Sequence, residues 1–316
     1  MSDWFALTFA IAIAAMLLWS GLRAWRAEST VRRWVGAGLA AIAFAAVAGI
    51  GVVMAIGLWK LHARSAPPVT LSVTRAPAQI QRGREISDGF CSGCHSTNGT
   101  LTGGLDLAVN FPIRFGSFVA SNLTPAGALS RWSDGDIFRA IRNGVDPEGR
   151  WLVIMSYTNA GKLSDEDTAA VIAYLRSLPA AGSRTPEPAD RLNVLGLAML
   201  GAGLLPTGKP VATGAVTAPA KAPHARFGEY ILSYQDCREC HGRRLTGGTP
   251  GQLPPLGPDL RLVKSWKFDE FVKTFRTGID PNGHAISKDM PWEPIGRMDD
   301  DELRAIYSYL LQLPDD

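Results

Sequence analysis

The chain has 316 residues, enough at ~150 residues per domain for two domains with extra segments. Its formal net charge is only +3 and it has no run of five or more basic residues, which excludes a nucleic-acid binder held by charge. Hydrophobic residues make up 46% of the chain, with the excess crowded toward the N-terminus.

Two uncharged runs come first, Trp4 to Leu22 and Val35 to Trp59. A helix rises ~1.5 Å per residue, so ~20 apolar residues cross a ~30 Å hydrocarbon core. Both runs are long enough, and they predict two transmembrane helices over about 4–22 and 35–59 within an anchor of residues 1–62. The loop between them carries Arg23, Arg26, Arg32 and Arg33 against the single acid Glu28. The positive-inside rule puts this loop in the cytoplasm, with the N-terminus and everything after Lys60 on the periplasmic side of a bacterial inner membrane. Trp4, Trp19, Trp25, Trp34 and Trp59 stand near the run ends, as interfacial anchors do. A cleaved signal peptide fits the first run less well, because the start Met-Ser-Asp lacks a positive region and no small-x-small site ends the run.

Residues 63–79 read as an extended tether, and 181–224 as a second linker containing a Pro/Ala/Thr-rich stretch without a fixed fold. The apolar segment 192–205 is too short to span a bilayer and reads as a helix packed on the globular domains, with a membrane-surface helix as the alternative.

The remaining segments, 80–180 and 225–316, are two versions of one module. WSDGDIFRAIRNGVDPEGR from Trp132 lies over WKFDEFVKTFRTGIDPNGH from Trp266 at a constant offset, and LSDEDTAAVIAYLRSLP from Leu163 lies over MDDDELRAIYSYLLQLP from Met298. The periodicity is helical, with Ala169, Val171, Ile172, Leu175 and Leu178 as one stripe. Ser133 with Asp136, Ser164 with Asp167 and Asp299 with Glu302 are helix-start signals, and Gly144 and Gly278 are stops. The fold class is all-α, with loops long enough to require something large packed among them.

All four cysteines fall in two Cys-x-x-Cys-His phrases, Cys91–Cys94–His95 and Cys237–Cys240–His241. This spacing reads as c-type haem attachment: two thiols one helical turn apart reach the vinyl groups of one porphyrin, and the adjacent His lies under the iron. Zinc would need four good ligands per site, and a thioredoxin-type pair needs a βαβ setting that is missing. The expected cofactors are two covalently bound haem c. Met155 and Met290 occupy matched positions before the last helix of each module and are the expected sixth ligands, with His95 and His241 as the axial partners. His284 is the runner-up on the second iron, and Met298 should simply pack. His62 reads as an interfacial residue, His224 as a solvated one, and Trp132 and Trp266 as helix-start packing.

With these residues in view, the chain resembles two tandem class I cytochrome c domains placed on a membrane anchor. The orders CSGCH, Met155, LSDEDTAAVIAYLRSLP and CRECH, GPDL, MPW, YSYLLQLP carry the resemblance. It implies that Pro258 offers its carbonyl to His241; the first module has no GPxL counterpart. SNLTP followed by WSDGDIFRAIRNGVDPEGR is similar to cytochrome subunits of periplasmic membrane-bound alcohol and aldehyde dehydrogenases, which typically carry three haems against two sites here. The resemblance implies an electron relay without substrate chemistry of its own, held in a respiratory or dehydrogenase complex. Its expected partners are redox proteins: a dehydrogenase, a quinol-oxidising complex or oxidase, and a soluble cytochrome. A dihaem peroxidase, or a structural subunit docked through the small residues of the second span, are the alternatives.

Overall fold

The computed structural model describes residues 3–252 and 254–315. Helix α1 (Asp3–Trp25) and helix α2 (Ala37–Ala63) form an antiparallel hairpin, and a single π-turn over Arg32–Gly36 leads into the second. Trp25 and Trp34 meet edge-on across the hairpin loop with ring centroids 5.1 Å apart. The stretches long and apolar enough to cross a membrane are Leu7–Trp25 and Arg32–Ala63. Their apolar side chains point outward, Phe9 at 60% and Ile42 at 69% exposure, as a lipid solvent requires.

The second helix runs past Trp59, where the apolar run in the sequence ends. Its last turns bury Met54, Leu58 and Leu61 in a core shared with Phe118, Trp151, Leu192, Leu197 and Leu200. The backbone N–H of Trp151 donates to the Leu61 carbonyl at 2.7 Å, and Arg64 donates to the Asn143 carbonyl at 2.7 Å. Helix α2 therefore continues into the first globular domain without a hinge. Residues 64–76 are extended, as the sequence suggested, but they are pinned rather than free. Val73 N–H donates to Asp134 at 3.0 Å, and the Val69 carbonyl occupies the space where a Cβ on Gly135 would stand.

The first domain contains α3 (Pro77–Ile86), α4 (Ser92–His95), strand β1 (Gly116–Phe118), α5 (Asp134–Asn143), α6 (Val153–Tyr157) and α7 (Asp165–Ser177). Strand β2 (Asp190–Leu192) pairs antiparallel with β1, with Ser117 opposite Arg191. It leads into α8 (Val194–Gly201), which packs against α2. The second domain follows as α9 (Ala225–Tyr234), α10 (Cys237–His241), α11 (Phe268–Thr277), α12 (Trp292–Ile295) and α13 (Asp300–Leu310). The helix-start signals behave as read. Ser133 and Asp136 form a capping box, and Ser164 and Asp299 accept from the backbone N–H three residues on. Gly144 and Gly278 end their helices in the left-handed region, at φ 62° and 69°. His224 is not loose in a linker: its ring accepts from Phe227 N–H at 3.1 Å and caps α9.

Each domain is built on one crossing of its first and last helices, α3 on α7 and α9 on α13. A glycine makes each crossing close. A Cβ on Gly83 would stand 1.9 Å from the Ala170 carbonyl oxygen, and one on Gly228 would stand 2.0 Å from that of Ala305. Gly228→Ala should therefore push α9 off α13 and cost about 1–3 kcal/mol, the usual range for overpacking a tight contact. Urea unfolding of the holoprotein checks this, and an unchanged midpoint would show that the crossing yields.

The Pro/Ala/Thr-rich stretch also differs from expectation. It has no helix or strand, yet it is strapped to both domains. Lys209 N–H donates to Ser156, Asp165 N–H donates to Val216, and Lys221 binds Glu85 and Asp299 at 2.7 and 2.5 Å. A proline-rich chain is pre-extended, so few residues must be ordered to lay it down.

Candidate functional site

In the first domain Cys91 ends a π-turn over Ser87–Cys91, and α4 carries Cys94 and His95. In the second domain α10 carries the whole Cys237–His241 phrase, entered through Asp236 at φ 55°. All four cysteines are free. Burial pushes the Cys91 and Cys237 thiols up to about 12. Among the described residues no group of three His, Cys, Asp or Glu side chains could hold a metal ion.

Both histidines are held the same way. His241 Nδ1 lies 2.8 Å from the Pro258 carbonyl, and His95 Nδ1 lies 2.8 Å from the Ser121 carbonyl. Burial lowers the pKa of both rings, which favours the neutral form with Nδ1 donating to the carbonyl and Nε2 left as a lone-pair donor. His241 is 4% exposed and its Nε2 is buried without a hydrogen-bond partner. An orphaned imidazole nitrogen of this kind fits an iron atom. The ring has no room for a side chain beside it, since a Cβ on Gly257 would stand 2.6 Å from Nδ1.

The first module has no GPxL in its sequence, yet Ser121 takes the place that Pro258 has in the second. The signal is present as Ala120-Ser121-Asn122-Leu123 against Gly257-Pro258-Asp259-Leu260. The surrounding hydrogen bonds repeat: Leu123 N–H donates to Leu101 as Leu260 N–H does to Leu245, and Gly103 N–H donates to His95 as Gly247 N–H does to His241. Because the acceptor is a backbone carbonyl, proline is not needed for the role. Beside this segment lies an apolar cavity of about 240 Å³, lined by Leu123, Pro125, Leu129, Ile137 and Leu175.

Met155 is half-buried on the single turn of α6 rather than in a loop, and Ser156 beside it packs on Gly144. The turn is fixed from the segment read as linker: Asp190 accepts from Ile154 N–H at 3.2 Å, and burial pushes its carboxyl up to about 6. Met290 is half-buried against the main core just before α12, where Trp292 packs on Gly278. His284 has 78% of its side chain exposed and bonds Asp280 at 3.2 Å. Met298 packs, at 2% exposure.

The two attachment phrases are brought together at the domain boundary. Phe90 and Tyr234, each shortly before a first cysteine, meet edge-on at 5.7 Å. Gln235 donates to the Gly89 carbonyl at 3.1 Å, and Arg297 donates to Ser92 at 3.1 Å. Asp236 accepts from Asn159 N–H at 2.7 Å and lies close enough to Cys94 to add to the rise that burial gives its thiol pKa. A buried polar cluster locks the four main helices behind this contact. Arg82 of α3 binds Asp167 of α7 at 2.8 Å and Glu302 of α13 at 2.5 Å, and Tyr230 of α9 donates to Asp167 at 2.6 Å.

Residues 80–179 match the cytochrome c family, and residues 224–310 match the family described as cytochrome C oxidase, cbb3-type, subunit III. A diheme cytochrome c-type protein of Cereibacter sphaeroides is 25% identical over 311 residues, covering 90% of this chain and 99% of the relative. The fructose dehydrogenase cytochrome subunit of Gluconobacter japonicus is 30% identical over 133 residues, 40% of this chain and 27% of that one. The cytochrome c subunit of alcohol dehydrogenase (quinone) from Gluconobacter oxydans is 28% identical over 96 residues, 27% of this chain and 20% of that one. The chain spans nearly all of the first relative and less than a third of the other two.

Proposed function

Because the chain belongs to the class I cytochromes c and carries two domains of that kind, we propose that it is a membrane-anchored dihaem cytochrome relaying electrons from a dehydrogenase partner to a downstream acceptor. The observation that carries this reading is the contact of the two attachment phrases at the domain boundary, through Phe90, Tyr234, Gly89 and Gln235. Two redox groups held there would be neighbours, which suits a relay and serves no purpose in a single-site binder. Haem c, when bound, supplies a one-electron iron couple, whose potential methionine ligation raises.

The chain's own residues do the rest. Cys91, Cys94, Cys237 and Cys240 would hold the two groups covalently. His95 and His241, oriented by the Ser121 and Pro258 carbonyls, would each offer Nε2 to one iron, and Met155 and Met290 would supply the second ligand of each. With a His and a Met offered to each iron, the chain would leave no iron position for substrate, which favours transfer over catalysis. The relatives that are cytochrome subunits of fructose and alcohol dehydrogenases support a dehydrogenase as donor. The α1–α2 hairpin supports an inner-membrane location. Leu7 packs on the core shared with the first domain, so the start of α1 is on the same side as both domains, opposite the arginine loop; the positive-inside rule makes that side periplasmic.

Gentle solubilisation of the tagged protein from native membranes, followed by mass spectrometry and a haem-to-protein ratio, tests the reading. A stoichiometric dehydrogenase and two haems per chain are expected. A quinol-oxidising complex or oxidase in its place would move the chain downstream, and a chain recovered alone would make it a free-standing carrier.

A further inference from the structure

Between the capping residue Asn193 and Thr207 the chain has no polar side chain at all. Helix α8 buries Gly196, Leu197 and Leu200, yet its outward positions are apolar too. Val194 is 51% exposed, Leu195 46%, and Leu204, just past the helix, 70%. A short helix on a water-facing domain turns charged or polar residues outward; a helix apolar on every side belongs in a core or in lipid. The outer face of α8 is not in a core.

What α8 packs on decides between the two. A Cβ on Gly57 would stand 2.1 Å from the Leu197 carbonyl oxygen, and one on Gly201 would stand 1.9 Å from that of Val53. The backbones of α8 and α2 therefore touch, running in opposite directions. Lys60 of α2 donates to the carbonyls of Leu200 and Gly201 at 3.0 and 3.1 Å and satisfies the C-terminal end of α8. The chain leaves the first domain at Asn193, whose N–H donates to Phe115, and descends along α2 to the level of Val53. It turns at Gly203 in the left-handed region, φ 75°, and returns through Lys209, bonded to Ser156. Counting from Trp34, just past the arginines, ~20 residues of hydrocarbon core end near Val53. On that reading the turn reaches the outer edge of the hydrocarbon, close to the exposed Val52, with Ile56 of α2 exposed beside the body of α8.

We propose that residues 194–205 are a re-entrant membrane contact, whose apolar outer face lies in the headgroup–acyl boundary of the leaflet facing the domains. Its occupant is lipid, because the patch is continuous with the lipid-facing surface of α2. It gives the first domain a third hold on the bilayer beside the two spans. The proposal rests on reading α1 and α2 as spans, and the test separates the two.

In the holoprotein all four native cysteines belong to the attachment phrases, so an introduced cysteine is the single free thiol. Leu204→Cys, Ile42→Cys in α2 and Lys288→Cys on the second domain are each given a nitroxide label. Each is placed in phosphatidylcholine–phosphatidylglycerol nanodiscs with no other protein present. Collision with oxygen, which concentrates in lipid, is compared with collision with a water-soluble nickel chelate. The expected result is oxygen-dominated relaxation at 42, a lesser but clear oxygen preference at 204, and nickel dominance at 288. Nickel dominance at 204 with oxygen dominance at 42 overturns the re-entrant contact and leaves the spans standing. Shielding of 204 that arises only in native membranes overturns it in favour of a partner protein. Nickel dominance at both 42 and 204 removes the spans themselves, and the proposal with them.

Discussion

Arg82→Met should cost about 3 kcal/mol of unfolding free energy, among the largest effects expected of any single surface-to-interface change in this chain. Arg82 bridges Asp167 and Glu302, whose side chains are 9% and 2% exposed. Methionine keeps the volume but leaves the two buried carboxyls without their guanidinium. Breaking a buried pair from one side costs ~3–5 kcal/mol, and the 17% exposure of the Arg82 side chain argues for the lower end. Urea unfolding followed by tyrosine fluorescence and Soret absorbance measures it. A loss below about 1 kcal/mol would mean that water reaches the carboxylates and the cluster is no lock.

The same cluster sets a pH dependence. Burial holds the Glu302 carboxyl above its ordinary value of 4.5 even beside Arg82. A carboxyl raised in the folded state favours folding while it is protonated. That contribution is complete below 4.5 and is lost as pH rises through the folded value. Glu302→Gln removes this titration. Its stability relative to the wild type should therefore improve as pH rises from about 4.5, and a difference flat in pH would contradict the assignment.

The second large effect is on the irons. Met155→Ala and Met290→Ala should each abolish one of two methionine-type absorption signatures of the ferric protein. Each should also lower one of two reduction potentials by a sizeable part of the ~0.8 V over which axial ligands set haem potentials. Two unchanged spectra would sink the ligand assignment. For the second domain there is a finer control. His284 is exposed and bonded to Asp280, so His284→Ala should leave the spectrum alone. If His284→Ala changes it and Met290→Ala does not, imidazole is the ligand.

Much of this was legible in the chain because it is local. Cys-x-x-Cys-His is five adjacent residues, the helix starts at Ser133, Ser164 and Asp299 are three-residue signals, and the spans are composition. What escaped the sequence is what depends on long separations or on backbone. The His95 partner is a carbonyl, which any residue offers, so the missing proline hid a position that Ser121 fills. Arg82 and Glu302 are 220 residues apart, and each reads alone as a solvated charge on an amphipathic helix. Asp190, in a Pro-rich stretch that reads as a break, holds the Met155 turn only because β2 folds back on β1. Ala170 is buried and Ala169 is not, because α3 crosses α7 at Gly83, against the Ala170 carbonyl.

The absence of a joint between α2 and the first domain has a consequence for traffic. A cytochrome on a slack leash can swing between donor and acceptor, and its rate then depends on leash length and solvent viscosity. Here the helix enters the domain through Leu61 and Trp151, and Arg82 clamps the second domain to the first. The molecule is a mast, not a shuttle. If α1 and α2 span a membrane as proposed, redox partners would have to come to a domain held at a set height, and turnover should be indifferent to viscosity until the mobile partner's own diffusion becomes limiting.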